Sequence, residues 1–357
     1  MRIFYAADSS PNPDFSSQLW RVNLHDSLVS LGHDVVEFRY DLAATFRHLD
    51  PARPESAEFI AKNRPQLGAA LLAQIRAAHA VSPVRVFFSY FYDACVEPAV
   101  IDSIRKLGIV TVNWFCNASY QLHLVSDIAP RYNWCLVPER FRLPIYRAIG
   151  AHPLYCQEAA NPQIYRPCDT PVEFDVAFAG QCYADRPETV LWLREQGLDV
   201  RVWGALWESY VAPRSRNPLR RWFSKSRLLP ARVVGGVLSD GALVELYSRA
   251  RINLGFAAVG DTHTAQRVTQ VRLRDFEVPM SGAFYLTEHS DELADFFVPG
   301  VEIETWRTRE ELLEKCRYYL AHEDERRRIA AAGRARALRD HTWERRFTVA
   351  FGEMGLP

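Results

Sequence analysis

The sequence predicts an α/β protein made of two doubly wound domains. Short apolar segments such as Val84–Tyr90 alternate with amphipathic segments such as Glu55–His79, a pattern typical of parallel strands with helices packed on both faces. The alternation stops at a proline-punctuated stretch, residues 157–167, and then restarts. A chain of 357 residues is long enough for two domains that each bury a core.

The elements of the first half follow from apolar periodicity and helix-end signals. Trp20, Leu24, Leu28 and Leu31 form one apolar stripe, and Gly32 ends that helix. The predicted strands are Arg2–Ala7, Asp34–Phe38, Val84–Tyr90, Ile109–Trp114 and Cys135–Val137, and the predicted helices begin near Ser16 or cover Glu55–His79 and Pro98–Lys106.

The second half repeats this arrangement. Its predicted strands are Asp175–Ala179, Val200–Trp203, Ile252–Phe256 and Ala283–Thr287. Its predicted helices are one that begins at Asp185, Ala242–Ala250, Thr269–Met280, one that runs from Arg309 to about Leu338, and a short one near the end. The predicted domains are therefore residues 1–160 and 172–340, joined by a linker at 161–171. Because ligands of such sheets bind beyond the carboxyl ends of the strands, we expect both domains to face a central cleft.

Composition excludes several classes of protein. A formal net charge of zero removes the global basicity expected of a nucleic-acid binder. The seven cysteines are scattered and never spaced as Cys-x-x-Cys, which disfavours a disulfide framework or a structural zinc site. No apolar run approaches the ~18 residues that a membrane-spanning helix needs. We therefore expect a cytoplasmic protein without a bound metal or cofactor.

Phosphate-binding motifs of the common kind are absent. Neither Gly-x-Gly-x-x-Gly nor the P-loop pattern occurs, so helix N-termini and arginines would have to hold phosphate groups. Gly180 ends a predicted strand and lets backbone approach a ligand, and Arg186 follows at the start of the next helix. We predict that both contact a diphosphate; the alternative is that Arg186 is a surface side chain beside a capped helix.

An ordered series of short motifs fills residues 172–347. The series is Arg274-Asp-Phe-Glu277, Leu286-Thr-Glu288, Phe297-Val-Pro-Gly-Val-Glu302, Glu311-Leu-Leu and His341-Thr-Trp-Glu-Arg-Arg346. Glu277 and Gly282 also fit the Glu-Ala-x-x-x-Gly helix that precedes a strand in the group-one glycosyltransferases. The chain thus resembles that group, and more narrowly the CgeB-like (spore-maturation type) glycosyltransferases.

The resemblance implies a GT-B fold, with two Rossmann-like domains, and an activity. The first domain would bind the acceptor, the second would bind the donor, and residues 341–357 would form a C-terminal helix that returns to the first domain. The enzyme would transfer a sugar from a nucleotide-diphosphate sugar to a glycan, protein or small-molecule acceptor without a required metal. The donor sugar, its nucleotide, the acceptor and the stereochemical outcome stay open.

Glu277 is the predicted ribose ligand, because a carboxylate can accept both ribose hydroxyls of a nucleotide. The alternative is a helix glutamate that pairs with Arg272 or Arg274, and these two arginines are also predicted to contact the leaving diphosphate. The related family often has a second glutamate eight residues upstream, where this chain has Thr269. The contact with the transferred sugar therefore differs from the family pattern.

Thr269 and Gln270 are predicted to begin the helix that carries Glu277, and the free N–H groups there would favour a diphosphate. Trp203 ends a predicted strand and offers a stacking surface for the nucleotide base, or else packs in the core. In the first domain, Asp8, Asp93 and His123 are the candidate general bases for an inverting transfer. A structural hydrogen-bonding role is the alternative for each of these three residues.

The segment Arg214–Arg232 is basic, contains interleaved aromatic residues and has no acidic residue. It is predicted either to rest on an anionic inner-membrane surface, where a lipid-linked acceptor would lie, or to be a solvated loop. Two other functions stay open for the whole chain. They are a GT-B epimerase acting on a nucleotide sugar and a non-catalytic protein that binds nucleotides or glycans.

Overall fold

A computed structural model of the chain describes residues 1–8, 18–211, 228–259 and 267–357. The described residues form two compact units. The first unit contains residues 1–8, 18–158 and 343–357, and the second contains the described part of residues 159–342. The chain thus leaves the first unit after Glu158 and returns to it at Trp343.

The first unit is built on a six-stranded parallel sheet with the strand order β2-β1-β3-β4-β5-β6. Its strands are β1 (Arg2–Ala6), β2 (Asp34–Glu37), β3 (Val86–Ser89), β4 (Val110–Trp114), β5 (Trp134–Val137) and β6 (Pro153–Tyr155). A π-helical turn, Arg21–His25, directly precedes α1 (Asp26–Ser30). The other helices are α2 (Ala43–Arg47), α3 (Pro54–Val81), α4 (Pro98–Arg105), α5 (Ala118–Gln121) and α6 (Leu143–Ala148). Three 3₁₀ turns in the described part of this unit are Leu122–Leu124, Ala129–Arg131 and Arg140–Arg142.

The second unit also has a six-stranded parallel sheet, with the order β14-β13-β10-β7-β8-β9. Its strands are β7 (Phe174–Ala179), β8 (Val200–Trp203), β9 (Val234–Gly235), β10 (Ala250–Gly255), β13 (Tyr285–Glu288) and β14 (Glu304–Trp306), and an antiparallel pair is formed by β11 (Ala258–Val259) and β12 (Val268–Thr269). Its helices are α7 (Arg186–Glu195), α8 (Asp240–Arg249), α9 (Leu273–Met280), α10 (Arg309–Ala321) and α11 (Glu323–Asp340), with 3₁₀ turns at Trp207–Tyr210, Ala231–Val233 and Asp291–Asp295.

The C-terminal helix α12 (Trp343–Glu353) packs on the first unit through one apolar face. Trp343, Phe347 and Phe351 follow each other at four-residue spacing and are all buried. The Trp343 ring lies 5.3 Å from that of Trp114, and the Phe347 ring lies 5.6 Å from that of Phe88, both measured between centroids. Since burying one large apolar side chain is worth roughly 1.5–3 kcal/mol, this face fixes the helix to the first unit.

The strand orders define where each sheet can bind a ligand. In the second sheet, strands β9, β8, β7, β10, β13 and β14 follow the doubly wound 3-2-1-4-5-6 order, which reverses between β7 and β10. In the first sheet the order reverses between β1 and β3. Ligands of open parallel sheets bind beyond the strands' carboxyl ends at such reversals.

Two predicted helices differ from the structure. The predicted helix Thr269–Met280 is wrong at its start, because Thr269 pairs with Ala258 in the β11–β12 hairpin and the helix begins at Leu273. The predicted helix from Arg309 to Leu338 is two helices, which meet at His322. Short strands β6, β9 and β14 and the hairpin were not predicted at all, since each is only two or three residues long.

Candidate functional site

A pocket lies at the strand-order reversal of the second sheet. It collects residues that follow β7, the last residue of β10, and residues at the start of α9. Its lining consists of Phe178, Ala179, Gly180, Gln181, Tyr183, Arg186, Gly255, Phe256, Arg272, Arg274 and Tyr285. Of the predicted donor-binding residues, the structure therefore brings Gly180, Arg186, Arg272 and Arg274 together around one space.

Two strand ends in this region can be occupied only by glycine. A Cβ atom on Gly255 would collide with the side chains of Thr287 and Tyr285. Gly204 has a φ of +133°, and a Cβ atom there would collide with the carbonyl oxygen of Gly180. The end of β8 therefore lies close to the residue that follows β7, and the end of β10 lies close to β13. Gly180 and Gly255 line the pocket and present backbone to it.

Arg186 is held rigidly although its guanidinium group is buried. It donates to the carbonyl oxygen of Gln181 (2.9 Å) and to the Tyr183 hydroxyl (2.6 Å), and it lies 3.7 Å from the centroid of the Tyr183 ring. Between these contacts, Ala184 has a φ of +53°, a left-handed conformation that is strained for a residue with a side chain. The alternative of a surface arginine is excluded, because only 5% of Arg186 is exposed.

Arg272 is fixed by its neighbours on the hairpin and on α9. Its guanidinium donates to the carbonyl oxygen of Ala258 (2.8 Å), and its backbone N–H donates to the Asp275 carboxylate (2.7 Å). Asp275 also accepts a hydrogen bond from the Tyr285 hydroxyl (2.8 Å). Asp275 therefore caps the first turn of α9 and connects it to β13, next to the pocket residues Arg272 and Arg274.

The three guanidinium groups make the pocket an anion site. Burial, with the charges of Arg272 and Arg274, lowers the pKa of Arg186 to about 9, so the group remains charged at neutral pH. The Nε atoms of Arg186, Arg272 and Arg274 are buried and have no hydrogen-bond partner among the described residues. The pocket lining includes no acidic side chain. Arginines that cannot pair with carboxylates in their own pocket are suited to phosphate oxygens, which accept several N–H groups at once.

Glu277 lies beside the pocket but does not line it. Only 2% of the residue is exposed, and its Oε2 accepts a hydrogen bond from the Tyr247 hydroxyl (3.2 Å). Burial raises the pKa of the Glu277 carboxyl, and the Arg274 charge is the largest influence that lowers it. The Glu277 carboxylate is therefore engaged with Tyr247, and its predicted ribose contact, like the alternative of a pairing with an arginine, stays a prediction.

The other predicted donor residues lie outside the pocket lining. Trp203 packs against β9, where a Cβ atom on Gly235 would collide with its ring, and its ring centroid is 5.1 Å from that of Phe174. Gly282 has a φ of +71° directly after α9, so it terminates the helix. Gln270 donates its backbone N–H to Ala257. The prediction that Thr269 and Gln270 offer free helix N–H groups is wrong, because the hairpin uses this backbone.

The candidate bases of the first unit occupy different environments. Asp93 follows β3 and accepts hydrogen bonds from the backbone N–H groups of Asp127 (3.2 Å) and Ile128 (2.9 Å). Burial raises the pKa of Asp93 to about 6. Asp8 follows β1 and is half-buried, whereas His123 is exposed. Burial thus makes Asp93 a stronger base than an ordinary aspartate, which suits a general base working near neutral pH.

The sequence did not point to Glu139, which lies at the carboxyl edge of the same sheet. It follows β5 after one proline, is 3% exposed, and accepts a hydrogen bond from the backbone N–H of Ser119 (2.8 Å). Burial raises the pKa of Glu139 to about 7, and its Oε2 has no hydrogen-bond partner among the described residues. The position just after a predicted strand was the available signal, the same one that identified Asp93.

Two further predictions concern metals and membranes. Across residues 1–8, 18–211, 228–259 and 267–357, no group of three or more histidine, cysteine, aspartate or glutamate side chains is arranged to hold a metal ion. Within the same ranges, no helix combines the length and apolarity needed to cross a membrane. Most of the basic segment Arg214–Arg232 lies outside the described residues, so its membrane contact stays a prediction.

Comparison with known families finds one match, which covers slightly less than half of the chain. Residues 186–351 match the family model described as "Glycosyl transferase-like". This range begins at the pocket residue Arg186 and includes Arg272, Arg274 and Glu277. The match favours the predicted enzyme class, a glycosyltransferase, over the epimerase and binding-protein alternatives. A search among curated protein sequences finds no significant match.

Solved structures identify the fold of the whole chain. Sucrose-phosphate synthase from Thermosynechococcus elongatus is similar over 99% of this chain and 97% of its own, with 13% identity and a TM-score of 0.63. Anabaena HepE in complex with UDP-glucose is similar over 100% of both chains, with 11% identity and a TM-score of 0.62. A putative UDP-N-acetylglucosamine 2-epimerase from Listeria monocytogenes matches at 9% identity over 95% of this chain and 94% of its own, with a TM-score of 0.51. The chain has the GT-B fold, as predicted.

Proposed function

We propose that the protein transfers a sugar from a nucleoside-diphosphate sugar to an acceptor, and that the three-arginine pocket of the second unit binds the diphosphate. The single observation that carries this proposal is the convergence of Arg186, Arg272 and Arg274, each with a buried Nε atom lacking a hydrogen-bond partner in the described structure. Two linked phosphates can accept from three guanidinium groups, whereas one carboxylate cannot engage them all.

UDP is the nucleotide that we propose for the donor. The structural neighbour HepE is in complex with UDP in one structure and with UDP-glucose in another. The described part of the second unit offers arginines rather than grouped metal ligands at the pocket. We therefore propose that the leaving diphosphate is stabilised by guanidinium charge and by positioning. The ordered motifs of residues 172–347 support assignment to the CgeB-like type.

For the first unit we propose acceptor binding, with Asp93 as the general base if the transfer inverts the sugar configuration. A base with a pKa of about 6 is largely ionised at neutral pH and can still accept a proton. The two backbone hydrogen bonds at 3.2 and 2.9 Å hold the carboxylate in one orientation. Glycan, protein and small-molecule acceptors all remain compatible with this assignment.

Calorimetric titration tests the donor site. We expect UDP to bind the wild type more tightly than CMP, because CMP lacks the second phosphate. Replacing Arg186 or Arg272 by Gln should weaken UDP binding about 10–100-fold, since a charge-assisted hydrogen bond is worth roughly 1.5–3 kcal/mol. The matched control is Arg201→Gln, at an arginine of the same unit that pairs with Asp199.

Two outcomes would refute the donor site. One is that none of UDP, GDP, dTDP and CMP binds the wild type. The other is that the pocket variants bind UDP as tightly as the control does. Incubation with UDP-glucose then separates the enzyme classes, because a transferase releases UDP faster when an acceptor is added, whereas an epimerase needs no acceptor.

A further inference from the structure

We propose that Glu288 is a positioning residue for the donor pocket, because it fixes the backbone turn whose carbonyl oxygen holds the Arg272 guanidinium group. Glu288 is the last residue of β13 and ends the motif Leu286-Thr-Glu288. The inference rests on the proposed function and deepens it, since it names what keeps one of the three pocket arginines in place.

The Glu288 carboxylate joins the end of β13 to the chain that follows β10. Its Oε2 accepts hydrogen bonds from the backbone N–H groups of Ala257 (2.9 Å) and Ala258 (3.1 Å). Glu288 is buried, and so are both alanines. Because buried N–H groups need a hydrogen-bond partner, and a carboxylate is a strong one, this single oxygen determines where the turn lies.

The same turn holds Arg272. The Arg272 guanidinium group donates a hydrogen bond to the carbonyl oxygen of Ala258 at 2.8 Å. Arg272 lines the pocket, and so does Phe256, the residue that precedes Ala257. A continuous series of hydrogen bonds therefore runs from Glu288 through Ala258 to a pocket arginine.

Arg267 explains how a carboxylate can lie beside an anion site. Its guanidinium group forms one ion pair with Glu288 and another with Asp185, the latter at 3.1 Å. Arg267 is not among the described residues that line the pocket, so its charge is available to offset that of Glu288. An unpaired buried carboxylate at this place would repel a diphosphate. Asp185 directly precedes Arg186, so the two ion pairs also link the Arg186 loop to the end of β13.

The decisive experiment titrates UDP and inorganic pyrophosphate into the wild type, Glu288→Ala, Arg272→Gln and the double variant. Pyrophosphate has no ribose, so it reports the phosphate site alone. Glu288→Ala removes the acceptor of both alanine N–H groups. We expect it to weaken both ligands by the same factor, about tenfold, because a mispositioned Arg272 loses a charge-assisted hydrogen bond to phosphate. In the Arg272→Gln background the same change should have no further effect, because the two residues act as one unit.

Glu288→Gln separates hydrogen bonding from charge. Its amide oxygen can still accept from the two N–H groups, so we expect it to weaken pyrophosphate less than Glu288→Ala does, by about two- to threefold. If the two variants weaken pyrophosphate equally, only the charge of Glu288 matters and the positioning of the turn is refuted. Glu288→Gln also replaces Glu288→Ala in the double-variant comparison if the alanine variant does not fold.

Glu304→Ala is the matched control. Glu304 is a buried glutamate of β14 in the same sheet, and it accepts hydrogen bonds from the Tyr319 hydroxyl (2.7 Å) and from Lys315 Nζ (3.1 Å). We expect both alanine variants to lower the melting temperature, but only Glu288→Ala to weaken pyrophosphate. Equal weakening by Glu304→Ala would mean that general destabilisation accounts for the effect, and the inference would fail.

Four further results would overturn the inference. If Glu288→Ala binds pyrophosphate as the wild type does, or weakens it equally in the Arg272→Gln background, Glu288 does not act through Arg272 and the donor site still stands. If it weakens UDP alone, Glu288 acts on the nucleoside. If it binds pyrophosphate more tightly, the carboxylate only repels the anion. If the wild type binds neither ligand, the proposed function fails as well, which distinguishes the two failures.

Arg267→Gln tests the ion pair with Glu288. We expect it to weaken pyrophosphate by about threefold, because the carboxylate charge then acts on the ligand. In the Glu288→Gln background, where no such charge remains, Arg267→Gln should have no further effect. An unchanged affinity in the single variant counts against the inference, and so does an equal weakening in that background, which would place Arg267 on the ligand itself.

Discussion

The carboxyl edges of the two sheets have the same architecture and opposite electrostatics. Both sheets are parallel and six-stranded, and in both the strand order reverses once. At its reversal the second sheet presents glycine backbone and three arginines. The first sheet carries the carboxylates Asp93 and Glu139 on the same edge, with pKa values raised by burial to about 6 and about 7. One edge is therefore suited to an anionic ligand and the other to accepting a proton.

Burial explains why the two carboxylates on the first edge have raised pKa values, and the same edge also carries a cluster of aromatic rings. The rings of Trp20 and Tyr90 are 4.5 Å apart, and Tyr90 contacts Trp114 and Phe115 at 6.0 Å, all between centroids. The Tyr90 and Tyr92 hydroxyl groups lie 3.2 Å apart. Burial disfavours ionised carboxyl groups on the first edge, whereas the second edge uses guanidinium groups that stay charged when buried. The contrast teaches that residue types after the strands, not the fold, select the ligand of each edge.

The largest expected effect concerns Glu139 in the first unit. Its folded-state pKa of about 7 exceeds the ordinary value of 4.5, so the folded state binds its proton more tightly than the unfolded state does. Stability therefore falls as the pH rises from about 4.5 to about 7. Between pH 5 and pH 8, we expect the free energy of unfolding of the wild type to fall by on the order of 2–3 kcal/mol more than that of Glu139→Gln. Urea unfolding at both pH values measures this difference.

The matched control for this measurement is Glu97→Gln, at an exposed position of the same unit. Its stability should follow the wild-type pH dependence. If Glu139→Gln keeps the full wild-type pH dependence of stability, the pKa of Glu139 is not raised by folding. The comparison between the two sheet edges would then depend on Asp93 instead of Glu139.

A smaller effect is expected for Gly255→Ala in the second unit. The added methyl group would collide with Thr287 and Tyr285, and overpacking at a buried site costs about 1–3 kcal/mol. Because Tyr285 also fixes Asp275, the variant should bind pyrophosphate more weakly. Thermal unfolding and pyrophosphate titration measure the two effects.

Gly241→Ala is the control for Gly255→Ala. Its new methyl group would meet no atom within 4 Å, and it lies in helix α8. We expect it to stabilise the protein by roughly 0.5–1 kcal/mol, since alanine is the better helix former. Equal stability of both alanine variants would show that the β10 edge is not tightly packed.

The smallest expected effect comes from Ala184→Gly. Relief of the left-handed backbone at φ +53° should raise stability by about 0.5–1 kcal/mol, offset in part by the greater entropy of unfolded glycine. The measurement is urea unfolding beside Ala148→Gly, a helical alanine of the first unit that should be destabilised by a similar amount. Destabilisation of Ala184→Gly would contradict the assignment of strain to the loop that carries Arg186.

Much of the fold was predictable because its signals are local. The alternating valines of Val200–Trp203 and the amphipathic pattern around Leu24 and Leu28 both indicate burial from neighbouring residues alone. Gly180 and Arg186 were recognisable for the same reason, since they directly follow a strand and begin a helix. The GT-B class came from ordered motifs, which the family and structural comparisons then supported.

The start of α9 was not predictable from periodicity. Val268 and Thr269 pair with Ala258 and Val259. Each of these strands has only two residues, which is too few to show a helical or strand periodicity in the sequence. The break at His322 was missed because α10 and α11 both carry helix-favouring charged residues on either side of it. Glu139 was missed because burial of a single polar residue depends on what covers it.

The sequence by itself determined the alternation of strands and helices and the division into two α/β halves, because both depend on residues close together in the chain. It also indicated the class of enzyme, through the ordered motifs of residues 172–347. Only the tertiary structure decided that Arg186, Arg272 and Arg274 share one pocket, whereas Glu277 lies outside the pocket lining and accepts a hydrogen bond from Tyr247. That convergence requires the 3-2-1-4-5-6 strand order, which brings the end of β7 next to the end of β10, some seventy-five residues later in sequence. The spacing of these residues along the chain does not show how close they lie in space, because that distance is set by how the strands pair.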